Sequence, residues 1–134
     1  MIGAWRLVRF WVESPAGTRW PFGEDAEGLI VYSADGWMSA ILSRHHEATE
    51  AALERSHHLD RAAKADAFDG YLSYAGRWRV EGDEVVHAIE LSLVPGLRTE
   101  QRRRFVLDGD TLALSYTMQG RSGVHTFHLH WRRA

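Results

Sequence analysis

Apolar and polar residues alternate with a period of two over most of this chain, and turn signals interrupt the alternation at short intervals. The turns read Ser14-Pro15-Ala16-Gly17, Asp35-Gly36, Gly82-Asp83, Pro95-Gly96, Gly109-Asp110 and Gly120-Arg121-Ser122-Gly123. Alternation bounded by such turns marks antiparallel strands joined as hairpins. It predicts strands near 4–13, 18–21, 28–34, 37–43, 73–81, 84–93, 101–108, 111–119 and 124–133. One segment breaks the rhythm. Residues 46–71, "HEATEAALERSHHLDRAAKADAFDGY", are rich in alanine, glutamate and arginine and hold no proline or glycine before Gly70. These residues favour helix. Asp60 suits the N-cap of a second helix that carries Ala63, Ala67 and Phe68 on one side. Two short helices are therefore expected between the fourth and fifth strands. A run of sequential strands leaves sheet edges, and closing the sheet removes them. The hairpin order favours an up-and-down barrel over a sandwich, with the helical insert over one mouth.

Strand periodicity also sorts side chains into faces. Inward sets are expected at Met38, Ala40 and Leu42; at Tyr74, Gly76, Trp78 and Val80; and at Leu112, Leu114, Tyr116 and Met118. Phe127, Leu129 and Trp131 follow on the last strand. The first strand is ambiguous, since Trp5 and Leu7 share one face while Val8, Phe10 and Val12 share the other; a bulge is one resolution. In "VEGDEVVHAIELSLVPG" the inward row reads Val85, His87, Ile89, Leu91, Leu93, a histidine alone among apolar side chains. The next strand sends Gln101, Arg103, Phe105 and Leu107 the same way. A turn centred on Pro95-Gly96 sets His87 opposite Phe105 and Arg103 opposite Ile89, which makes His87 and Arg103 diagonal neighbours.

The 134 residues suit one domain whose core needs no covalent staple. Absence of cysteine excludes disulfides, thiol chemistry and cysteine-rich zinc sites. The opening "MIGAWRLVRFWVE" has no continuous apolar run and no segment is long enough to span a bilayer, so a cytoplasmic location and no membrane partner are expected. Net charge is −2, although Arg98, Arg102, Arg103, Arg104, Arg121, Arg132 and Arg133 crowd the C-terminal half. Such a stripe is read as the solvated outside of strands, and no nucleic-acid partner is expected.

At this point the chain resembles the bacterial lipocalin-like domain family, a calycin-type small β-barrel. The resemblance rests on "GAWRLVRFWVE", "WPFGEDAEGLIVY", "ADGWMSAIL", "AFDGYLSYAGRW", "VEGDEVVHAIELSLVPG" and "EQRRRFVLDGDTLALS", and spans nearly the whole sequence. It implies a mainly β fold: an antiparallel up-and-down lipocalin-like barrel with a short helical insert between the fourth and fifth strands, enclosing an apolar cavity. The wider lipocalin group stacks an arginine of the last strand on a Gly-x-Trp tryptophan, and Gly3-Ala4-Trp5 with Arg132 or Arg133 resembles that pair. Similar barrels carry apolar small molecules or act as cyclases and isomerases in secondary metabolism.

Candidate chemistry is sparse. His128-x-His130 has metal-ligand spacing on one strand face, but it shares that face with Thr126 and Arg132 and reads as outward. "HHEATE" lacks the second histidine of a zinc motif, and "GRSG" at 120–123 is a turn rather than a nucleophile elbow. His87 is either a core histidine satisfied by its neighbours or a proton donor and acceptor in a cavity. The first expectation is thus a binding protein for a small hydrophobic or aromatic molecule, lined by Met38, Ala40, Tyr74, Trp78, Ile89, Gln101, Phe105 and Tyr116. The alternative is a cofactor-free cyclase or isomerase for a polyketide-like or terpenoid intermediate, with His87 as general acid/base and Arg103 as electrostatic stabiliser. No cofactor and no metal are expected in either. A homodimer formed through a sheet edge, with Trp11, Trp20 and Trp37 on the outside, is a third expectation.

Overall fold

Hairpin follows hairpin in the computed structural model, which describes residues 1–134. The strands are β1 (Gly3–Ser14), β2 (Gly17–Arg19), β3 (Glu27–Tyr32), β4 (Trp37–Ser43), β5 (Tyr71–Glu81), β6 (Glu84–Ser92), β7 (Glu100–Asp108), β8 (Thr111–Gly120) and β9 (Gly123–Arg133). Every neighbouring pair is antiparallel, and β1 pairs with β3 on one side and β9 on the other. Those pairings close eight strands into a barrel, and β2 is a short flap on the end of β1. Closure leaves no long unpaired edge, which is how a small all-β chain avoids edge-to-edge association.

Two bulges decide which side chains enter the barrel. The β1–β9 register shifts between Leu7 and Arg9. Trp5 lies inward before that shift, and Phe10 and Val12 lie inward after it; all three are buried while Val8 is exposed. The bulge thus resolves the two-faced pattern of β1. A second shift sits where Gly76 pairs with Ile89 and Ala75 with Leu91, so that Glu90 is the extra residue. Beyond it the parity of β6 inverts, and Leu91 is 69 % exposed instead of joining the inward row. The expected row Val85, His87, Ile89, Leu91, Leu93 therefore ends at Ile89. Gly76 makes the second bulge possible, since a Cβ there would lie 2.1 Å from the Ala88 carbonyl oxygen. Gly76→Ala is expected to destabilise the barrel by at least about 1–3 kcal/mol, the usual cost of forced overpacking. Urea unfolding with unchanged m-value is the check.

Helix α1 (Glu50–Ser56) is capped by Thr49, and α2 (Arg61–Asp69) by Asp60, whose carboxylate accepts from the Ala63 N–H at 2.8 Å. Both lie between β4 and β5, as the composition predicts. Neither helix has a buried residue, and Leu53 and Phe68 are exposed. The expected cover over the mouth is absent because each helix offers too few apolar side chains for a packing face. The insert is tied down by polar bonds: Arg44 donates to the Asp66 carbonyl at 2.7 Å and its N–H to the Gly70 carbonyl at 3.0 Å. The β2–β3 connection supplies the apolar cover instead, with Phe22 packed 5.9 Å from Phe10.

The core runs through the barrel from Trp5, Trp131 and Leu112 to Leu42, Phe10 and Leu129. The end where the N- and C-termini meet is closed. There the Trp5 indole donates to the Met1 carbonyl at 2.8 Å, and the Arg133 guanidinium lies 4.3 Å from the Trp5 ring. Arg133 also donates to the Ile2 carbonyl and pairs with Asp110. Of the two arginines that the resemblance offered, Arg133 makes the stack.

Candidate functional site: an interior cluster of histidine, tyrosines and arginine

His87 sits in the middle of β6 with no solvent exposure. Its ring bridges two tyrosines from other strands. Tyr32 Oη lies 2.7 Å from Nε2, and Tyr74 Oη lies 3.2 Å from Nδ1. Burial, together with the nearby Arg103 charge, pushes the imidazole pKa down to about 3, so the ring is neutral at physiological pH. Burial also raises the Tyr32 and Tyr116 hydroxyls above the ordinary phenol value. Both of these hydroxyls keep their protons at physiological pH.

Arg103 enters the same space from β7. It is 8 % exposed, its guanidinium lies 4.4 Å from the Tyr116 ring, and one N–H reaches the Arg102 carbonyl at 3.4 Å. A stack continues outward from it. Tyr116 and Phe127 lie parallel at 4.5 Å, and the Arg19 guanidinium stands 5.7 Å from Phe127 toward the rim. The buried polar side chains of the protein are Ser43, His87 and Arg103, and no carboxylate is among them.

Strand parity directs all ten residues expected at the site toward the barrel interior, although not in the expected register. His87 pairs with Gln101, and Arg103 pairs with Val85. The connection from β6 to β7 contains a short 3-10 turn at Pro95–Leu97, and His87 meets a β7 residue four positions earlier than a turn centred on Pro95-Gly96 would give. The two polar residues remain diagonal neighbours because the shift is an even number of residues. Met38, Ala40, Tyr74 and Ile89 are buried in the wall. Trp78 is half-buried and donates to the Ser33 carbonyl at 2.9 Å. Gln101 turns away to Thr99 Oγ1 at 2.8 Å. Phe105 and Tyr116 are partly accessible beside the core.

Tyr32 was absent from the expected set. Its strand, "EGLIVY", is apolar at successive positions, so alternation gives no face. The signal lay in the pairing: across the β3–β4 hairpin Tyr32 stands opposite Met38, a residue already read as inward.

The outward histidines form a different group. His128 stacks on Trp11 at 4.8 Å, and His130 meets the same ring edge-on at 4.7 Å. No three His, Cys, Asp or Glu side chains converge as a metal site would require.

The larger concavities, of about 250–500 Å³, lie in the barrel wall or between the helices. His87 and Arg103 line none of them, and none is the single enclosed hollow expected from sequence. Phe22, Leu97, Phe105, Tyr116 and Phe127 pack against the core yet keep accessible surface.

A closed antiparallel eight-stranded barrel, plugged at one end by a tryptophan–arginine stack, defines a lipocalin-type calyx. The family model described as lipocalin-like domain matches residues 2–134, and the chain belongs to that family. Neither the curated proteins nor the solved structures yield a match to it. The fold is compatible with binding a small molecule. No helix is long and apolar enough to cross a membrane.

Proposed function

We propose that this protein binds a small hydrophobic or aromatic molecule inside the barrel, entering at the end opposite the Trp5–Arg133 stack. The observation that carries the reading is the interior placement of His87, Arg103 and two tyrosine hydroxyls on an otherwise apolar wall. A few fixed polar groups within an apolar concavity are what orient a ligand. The partly accessible rings of Phe105, Tyr116 and Phe127 are the side chains that would turn aside to admit it.

Nile red, a neutral apolar dye, tests the reading. Saturable one-to-one binding is expected, weakened about tenfold or more by Ile89→Trp, which fills the interior. Val106→Trp, on a position 68 % exposed on the outer face, is expected to leave the titration unchanged. Equal loss in both variants, or non-saturating binding, would place the dye on the outer wall and end the proposal.

The cyclase or isomerase alternative takes a narrower form. A ring neutral down to about pH 3, with both nitrogens engaged by tyrosines, is poorly placed as a general base. A catalytic version would use the cluster as fixed donors to a developing enolate oxygen, with Arg103 supplying charge.

A further inference from the structure

Arg103 is a buried cation without a counter-charge. The protein's ion pairs involve Arg44, Arg79, Arg102, Arg104, Arg133 and two histidines, and every one lies on the outer surface or rim. Its guanidinium has five N–H donors, and one long bond to the Arg102 carbonyl occupies one of them. Stacking on Tyr116 stabilises the charge without neutralising it.

The neighbouring cluster also holds a surplus donor. Neutral His87 carries one ring proton, and Tyr32 and Tyr74 carry one hydroxyl proton each. Two hydrogen bonds join the three groups, and neither hydroxyl has another partner. If Nε2 holds the proton, Tyr32 accepts it and the Tyr32 hydroxyl proton is unspent; if Nδ1 holds it, Tyr74 is in that position. Either tautomer leaves one free O–H in the interior.

The wall beside Arg103 is open. The β7–β8 ladder runs from Arg104–Ser115 to Asp108–Thr111, and Arg103 is the first residue beyond its last rung. Past that point β7 pairs with β6 alone and β8 with β9 alone. A groove of about 450 Å³, lined by Arg102, Arg104, Ser115, Tyr116 and Thr117 among others, occupies this parting from outside.

We infer that the ligand is an amphipathic anion, a hydrophobic carboxylic acid whose carboxylate supplies the missing counter-charge at Arg103 and accepts the spare hydroxyl proton of the Tyr32–His87–Tyr74 chain. This rests on the interior-binding reading above and narrows it. A carboxylate is the group that fits: it is planar, matches the guanidinium fork and offers only acceptors. A ligand with a cationic or donor-only head would meet Arg103 and a free O–H with nothing to accept them, and is excluded.

Dansylamino-undecanoic acid and its methyl ester, titrated at pH 7.5 and followed by dansyl emission, give the test. The acid is expected to bind about tenfold or more tightly than the ester, the scale of a hydrogen bond to a charged group. In Arg103→Leu that ratio is expected to fall to about one. In Arg103→Lys, which keeps the charge and loses the fork, an intermediate ratio is expected. Equal binding of acid and ester to the wild-type protein would overturn the anion inference and leave interior binding standing. Saturable binding of neither probe would overturn both. A ratio unchanged in Arg103→Leu would remove Arg103 as the anion's partner.

Discussion

Acidification is expected to destabilise this barrel through one interior residue, with roughly 3 kcal/mol lost to His87 between pH 6.5 and pH 4. In the unfolded chain His87 takes up a proton as pH falls through its ordinary value of 6.5, whereas in the folded barrel it resists until about pH 3. Across that window the unfolded state binds more protons, so lowering the pH favours it. Above about pH 7.5 the ring is neutral in both states and contributes no pH dependence. Exposed carboxylates also titrate as pH falls, and a control is needed to isolate the histidine. His87→Gln offers one, because the amide can still bond both tyrosines and does not ionise. The urea midpoint of His87→Gln is expected to fall less steeply than that of the wild type, by close to one proton's worth of slope, between pH 6 and pH 4. Parallel curves for the two proteins would show that His87 is protonated in the folded barrel, and would remove the neutral-ring account of the cluster.

The second large effect has the opposite sign to most core substitutions. Arg103→Leu is expected to make the ligand-free protein more stable, by about 1–3 kcal/mol. Burying an unpaired charge costs several kcal/mol, and an apolar replacement avoids that cost. The gain is partly offset by losing the stack on Tyr116, worth about 0.5–2 kcal/mol. Stability gained at the expense of a binding group is the usual trade at a functional site. Urea unfolding without ligand measures it. A variant destabilised by more than about 1 kcal/mol would mean that the guanidinium is satisfied within the protein, and the need for an outside anion would disappear.

Alternation and turn chemistry were enough to name the strands of this barrel to within about two residues. β4 runs Trp37–Ser43 as read from sequence, and β8 and β9 differ by one residue at the ends near their connecting turn. The helical insert and its Asp60 cap were equally legible, because helix propensity and capping are local properties. The inward direction of His87 and Arg103 followed from parity alone. Parity failed at Leu91, where the Glu90 bulge inverts the faces, and no local signal at Glu90 announces it. The reason for that bulge lies across the ladder, in the bare backbone of Gly76.

What local sequence could settle here was the number of strands, their order, the insert and the presence of two polar groups on an apolar face, since each depends on residues close together along the chain. Only the tertiary structure decided what meets those groups. Tyr32 stands 55 residues from the histidine it binds, the Tyr116 ring comes to Arg103 from the next strand, and the parting of β7 from β8 depends on how three strands share a wall. Pairing across a closed sheet is set by the shear and twist of the whole barrel, which no window of neighbouring residues contains.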